Sequence, residues 1–212
     1  MGLPKRKKMN LNFTPRANWD ATTGRAVLHD RVRNDLGNWT DGQHDVTKGF
    51  AAIMDMPNTQ VGYLRIASGS APELALVPLG QDYGDPPGDD WKEGVRLLLQ
   101  MAGEHAETGA RELLSTAVGF WEALSDLHDA FLAGAADHPG MLPVVEIERV
   151  RELPGKTVSY APVFKIVTWV PRPPGLPTGG IARVAPKSAP NANGAATRRP
   201  KVLDDMQDEI PF

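Results

Sequence analysis

Apolar and polar positions alternate with a period of two over residues 60–67, where Val61, Tyr63 and Arg65 fall on one side and Leu64 and Ile66 on the other. That period predicts a strand with two unlike faces. Leu64 and Ile66 suit a core, whereas Tyr63 beside Arg65 suits an exposed face. Two more strands are predicted beside it. Residues 46–56 are rich in apolar side chains and stop at the turn signal Pro57-Asn58, and residues 73–79 carry Pro78, which belongs at an edge or a strand end. From 91 the period changes. Trp91, Val95, Leu98, Leu99 and Ala102 recur at helical spacing after the capping candidates Asp89 and Asp90, with Gly103 ending or bending the helix. A second helix is predicted over about 107–133, with Leu113, Leu114, Ala117, Trp121, Leu124, His128, Phe131 and Leu132 on one stripe and Glu107, Glu112, Glu122, Asp126 and Asp129 opposite. Gly134, Pro139 and Gly140 close it.

Alternation then returns. Residues 142–151 set Val145, Ile147 and Arg149 against Val144, Glu146 and Glu148. Residues 157–171 follow a turn at Leu153-Pro154-Gly155-Lys156 and set Phe164, Ile166 and Val170 against Lys165 and Trp169. The expected fold class is therefore mainly β with a helical insertion (α+β): three strands, a helical segment at about 89–136, and two strands. Residues 19–42 are polar and turn-rich and are expected to form a short strand and connecting loops at the edge of the core. The domain is expected over 19–172, after a basic arm at 1–18. From Pro173 Pro, Gly, Ala and Asn dominate and no apolar period survives, so 173–203 is expected to be a flexible linker leading to an acidic tip at 204–212.

At 212 residues and 41% apolar content the chain can bury one sizeable core. It has no cysteine, which excludes disulfides and thiolate metal sites and suits a reducing cytoplasm. No apolar run reaches membrane-spanning length, and no membrane partner is expected. The net charge of −3 hides a segregated distribution. Residues 1–16 carry five basic groups and no acid, residues 142–183 carry six against three acids, and residues 82–137 carry twelve acids against Lys92, Arg96 and Arg111. One part of the molecule can meet phosphates while another repels them.

Catalysis is not expected. The histidines lie far apart without metal-ligand spacing, and there is neither a Gly-rich phosphate loop before Lys-Ser/Thr nor a nucleophile elbow. The acids of 81–90 fail the calcium-loop spacing, and no cofactor or metal is expected. What the pattern offers is aromatic rings beside cations on strands: Tyr63 with Arg65, Trp169 with Lys165, and, with less support, Trp39 and Arg172. Rings stack on bases and cations hold phosphates, so these six are the DNA-contact candidates.

The last nine residues, Asp204-Asp205-Met206-Gln207-Asp208-Glu209-Ile210-Pro211-Phe212, place four carboxylates before Ile-Pro-Phe. An aromatic ring with acids around it can dock into an apolar pocket rimmed by cations on a partner. This stretch resembles the acidic tip of bacterial single-stranded DNA-binding proteins, which typically end in Asp-Asp-Asp-Ile-Pro-Phe. The match is close at Ile210, Pro211 and Phe212, while Met206 and Gln207 interrupt the acids. The order of strands and helix is that of the five-stranded oligonucleotide-binding (OB) barrel, whose helix falls between strands 3 and 4. The enlarged helical segment makes the chain more similar to phage-encoded members than to the housekeeping type. The resemblance implies sequence-nonspecific binding of single-stranded DNA in replication, recombination and repair. It implies recruitment of replication and recombination proteins through Asp204, Asp205, Asp208, Glu209, Ile210, Pro211 and Phe212. The alternative is a protein-interaction adaptor that binds no DNA. Oligomeric state stays open, since the apolar stripe of the second helix packs on the barrel or forms a subunit interface.

Overall fold

Residues 92–101 form a strand, not the expected helix, because they are buried on both faces: Val95, Leu97, Leu99 and Met101 on one face are at most 1% exposed, and Arg96 (9%) and Leu98 (6%) on the other are buried as well. The helical spacing of Val95, Leu98 and Leu99 is real, but Arg96 and Leu97 between them are buried too. A short run buried all round is the mark of a central strand. The computed structural model describes residues 15–33, 39–67, 72–155 and 157–176, without the side chains of 31–33, 39 and 41. The basic arm up to residue 14, the chain beyond residue 176 and the whole tip lie outside the described residues.

In chain order the strands are β1 (Arg16–Asp20), β2 (Arg25–Arg33), β3 (Trp39–Asp45), β4 (Ala51–Met54), β5 (Gln60–Arg65), β6 (Glu73–Pro78), β7 (Lys92–Met101), β8 (Ala110–Ser115), β9 (Met141–Leu153) and β10 (Ser159–Pro171). A single α-helix, α1 (Val118–Ala135), stands between β8 and β9. The described residues are thus mainly β with one α-helix, so the mainly β class holds, while the expected first helix is absent among them. The described residues hold ten strands rather than five, and α-helix occupies only part of the expected 89–136 segment. Residues 110–115 of the expected second helix are strand, and residues 16–45 hold three strands where a short strand and loops were expected.

β7 is the hub. Its one edge pairs with β8, while its other edge meets β4 at Leu99–Met101 and β5 at Lys92–Arg96. β4 and β5 run in series, separated by a 3-10 turn at Met56–Asn58 that starts from buried Asp55. β9 pairs with β4 and with β10, and β8 pairs in parallel with β1, which leads on to β2 and β3. The sheet curls into a half-barrel until the end of β1 meets the start of β10. There the Tyr160 amide donates to Ala21 O at 2.7 Å, and the Trp19 indole N–H donates to Tyr160 O at 3.0 Å.

α1 buries Phe120, Ala123, Leu124, Leu127 and Phe131 in the hollow of the curl, where Phe120 meets Phe164 edge-on at 5.9 Å. Leu132, expected on the buried stripe, is 57% exposed. Ile66 is likewise 56% exposed, because β5 ends at Arg65 and Ile66 has left the sheet.

Gly62 lets β6 close onto β5. Its φ is +144°, and a Cβ there would stand 2.3 Å from Ala75 O. Gly62→Ala is expected to cost at least about 1–3 kcal/mol from backbone strain alone, read by urea unfolding. A neutral substitution would mean that β6 is not held in this register.

Candidate nucleic-acid interface

In the first aromatic-cation pair Tyr63 is buried, while Arg65 is half-buried and ion-paired. Tyr63 is 8% exposed; its hydroxyl donates to Gly84 O at 3.0 Å and its ring meets Tyr83 edge-on at 5.4 Å. Arg65 is held by Glu73 and by Asp90 (3.2 Å), and its guanidinium lies 5.7 Å from the centre of the Trp91 ring. Those partners raise the guanidinium's pKa, with the Glu73 and Asp90 hydrogen bonds as the main causes. Burial raises the Tyr63 phenol, and Glu93, Asp85 and Asp82 raise it further. Tyr83 is raised by burial and then by Glu93. The carboxylates that add to these upward shifts also repel phosphate. Tyr63 and Arg65 therefore fasten the 81–90 loop to β5.

Arg172 is likewise engaged. Just past β10, it binds both carboxylate oxygens of Asp55, with Nη1 2.8 Å from Oδ2. Trp39 opens β3 and pairs in register with Arg33. Those two positions share a face of the β2–β3 hairpin, and their side chains lie outside the described residues.

The second pair does share a site. Lys165 and Trp169 line a groove of about 430 Å³ between α1 and β10. Bulges between Val163 and Phe164 and between Ile166 and Thr168 break the strict alternation of β10, so Pro162 through Ile166 all reach this groove. The helical wall is built of Ala123, Asp126, Leu127, Ala130 and Gly134, and the small residues Ala123, Ala130 and Gly134 leave the room. Trp169 lies directly on Gly134, where a Cβ would stand 2.6 Å from its ring. Its ring stacks on His138 at 4.7 Å and tilts against Phe131 at 5.5 Å, while His138 Nδ1 lies 3.0 Å from Gly134 O.

Lys165 is exposed, opposite Glu146 in the β9–β10 register. Arg151 brings a second cation to the groove, bonded to Glu122 at 3.1 Å, and Asp126 brings an acid. The groove thus offers an apolar floor, an indole edge and two cations to a ligand with a flat ring and an anionic group. Arg151, Phe164 and His138 belong to this site and were not among the candidates. Strand register could have suggested Phe164 beside Lys165, but nothing in the sequence links His138 to Trp169.

Among the described residues no group of three or more His, Asp or Glu side chains could hold a metal ion, and no helix is long and apolar enough to cross a membrane. Comparison of this chain with models of known protein families, with curated proteins and with solved structures finds no match.

Proposed function

We propose that the chain binds single-stranded DNA without sequence preference and recruits partner proteins through its acidic Ile210-Pro211-Phe212 end. The observation that carries this reading is the strand order. β4/β5, β7 and β8 form an antiparallel series; α1 follows; β9 then returns to pair with β4, giving the spatial order 4-1-2-3 of a Greek key. β10 continues from β9 and curls toward β1. The series β4/β5, β7, β8, β9 and β10, with α1 between its third and fourth members, supports likeness to an OB barrel; β1 stands between β8 and β10 where the curl closes, and β2, β3 and β6 lie outside that series. Such barrels bind single strands by ring stacking and phosphate contacts. The α1–β10 groove is the described site that best fits that chemistry, with Lys165 as the phosphate contact.

Titration of labelled oligo-dT by anisotropy tests the reading. Binding is expected at low salt, to weaken as salt rises, and to exceed binding to a duplex of equal length. Lys165→Ala is expected to weaken binding and to reduce the salt slope by about one. If the native chain binds and Lys165→Ala changes nothing, the groove is not the interface. Flat anisotropy at low salt would sink the DNA reading itself. It would favour the adaptor, which one observation supports: Tyr63, Arg65 and Arg172 are all engaged in packing or ion pairs.

A further inference from the structure

Among the described residues three strands have a neighbour on one edge only: β3, β6 and β10. A free edge offers unpaired N–H and C=O groups to any other strand, and folded proteins usually blunt it with charge, a bulge or a covering element. β10 is bulged, and α1 runs beside it. β3 carries Asp41, His44 and Asp45 around Gly42. Among the described residues β6 has such devices only at its ends, Glu73 and Pro78, and none between them. Its middle is Leu74-Ala75-Leu76-Val77, uncharged and half-buried, with Glu73 at one end and Pro78 at the other.

We propose that β6 pairs antiparallel with β6 of a second copy of this chain, continuing the sheet across a twofold axis. Self-pairing fits the charges. Glu73 is already bound to Arg65 within its own copy, and the antiparallel arrangement sends the two Glu73 residues to opposite ends of the interface. It also fits the exposed apolar side chains. Ile66 (56% exposed) lies at the Glu73 end of the β5–β6 hairpin and Leu79 (38% exposed) at the Pro78 end, so the axis brings the Ile66 end of one copy to the Leu79 end of the other. The strand is held for this role, since the Leu79 amide donates to Thr59 O at 3.0 Å. A foreign strand would find no charge in 74–77 to select it, whereas an identical strand is complementary by symmetry. This surface is independent of the DNA reading and stands or falls separately.

Sedimentation equilibrium of the full-length chain across a dilution series is the test. A dimer of about twice 23.0 kDa is expected. Ala75→Lys, which sets like charges near each other across the axis, is expected to weaken it by roughly tenfold or more. Because the chain lacks cysteine, Leu74→Cys, Ala75→Cys, Leu76→Cys and Val77→Cys give a second reading that does not depend on how the lysine variant folds. Mild oxidation is expected to cross-link copies at the position nearest the twofold axis, where a residue faces its own copy, and to spare positions farther along the strand. A single 23.0 kDa species at every concentration would overturn the proposal. So would a dimer that none of the four cysteines cross-links.

Discussion

Arg172→Ala is expected to lower stability by about 3–5 kcal/mol, the usual consequence of stranding one member of a buried ion pair. The partner left behind decides the size of the effect. The Asp55 side chain is 0% exposed, so without Arg172 its charge keeps only the two Asn58 Nδ2 contacts at 3.0 and 3.1 Å. The Arg172 side chain is 22% exposed and can turn its charge toward water. Asp55→Asn should therefore cost less than Arg172→Ala, although it breaks the same pair. For a domain of this size the loss corresponds to a fall in Tm of about 6–20 °C. Denaturant unfolding of both variants checks the order as well as the size. Equal losses would mean that water reaches Asp55, and a loss near zero for Arg172→Ala would mean that the pair does not hold the end of β10.

Leu176→Ala is expected to cost about 2–5 kcal/mol. Leu176 is 2% exposed and closes a small apolar cluster with Leu98 and Leu142, against which Ile53 and Ala110 pack. It reaches that cluster through a tight turn in which its amide donates to Pro173 O at 3.0 Å. Leu176 thus packs on the domain from beyond residue 172, and a chain cut after Arg172 should lose at least as much stability as Leu176→Ala. Thermal melts of the two proteins settle the point. If the truncated chain melts with the intact one, Leu176 only rests on a surface that closes without it.

Those two residues mark where the sequence stops being legible. β9 could be read because Val145 and Ile147 lie deeper than Glu146 and Glu148, so that alternation survives into the structure. β5 is legible as a strand, but Val61, Tyr63 and Leu64 are buried alike and its two faces do not differ as expected. β7 could not be read as a strand. Its two faces and both its edges are covered, so burial erases the very contrast that a period reports. β1 to β3 were missed for the opposite reason: only Ala17, Trp19, Ala26 and Leu28 among their described side chains enter the core, and polar residues separate them. The pairing of Asp55 with Arg172 spans 117 positions and that of Arg111 with Asp30 spans 81, and no local pattern announces either. The candidate site was half legible. Lys165 and Trp169 do line one groove, although the bulge between Ile166 and Thr168 puts Trp169 on the strand face of Phe164 and Ile166 and leaves Lys165 opposite Glu146. Tyr63 looked exposed because its cover, the 81–90 loop, is polar and carries no apolar signal of its own.

The parallel seam between β1 and β8 carries a consequence for how the molecule comes into being. β1 is made early, yet its neighbours are β2, a strand from the middle of the chain, and Tyr160 near the end. The indole bond spans 141 positions, and together with the Tyr160 amide bond to Ala21 it shuts the curl only once the last hairpin is in place. Sheets stitched from such distant partners assemble slowly. Until β1 docks, the edge of β8 at Glu112 and Leu113 lies open, and the nascent chain is most exposed to mispairing there.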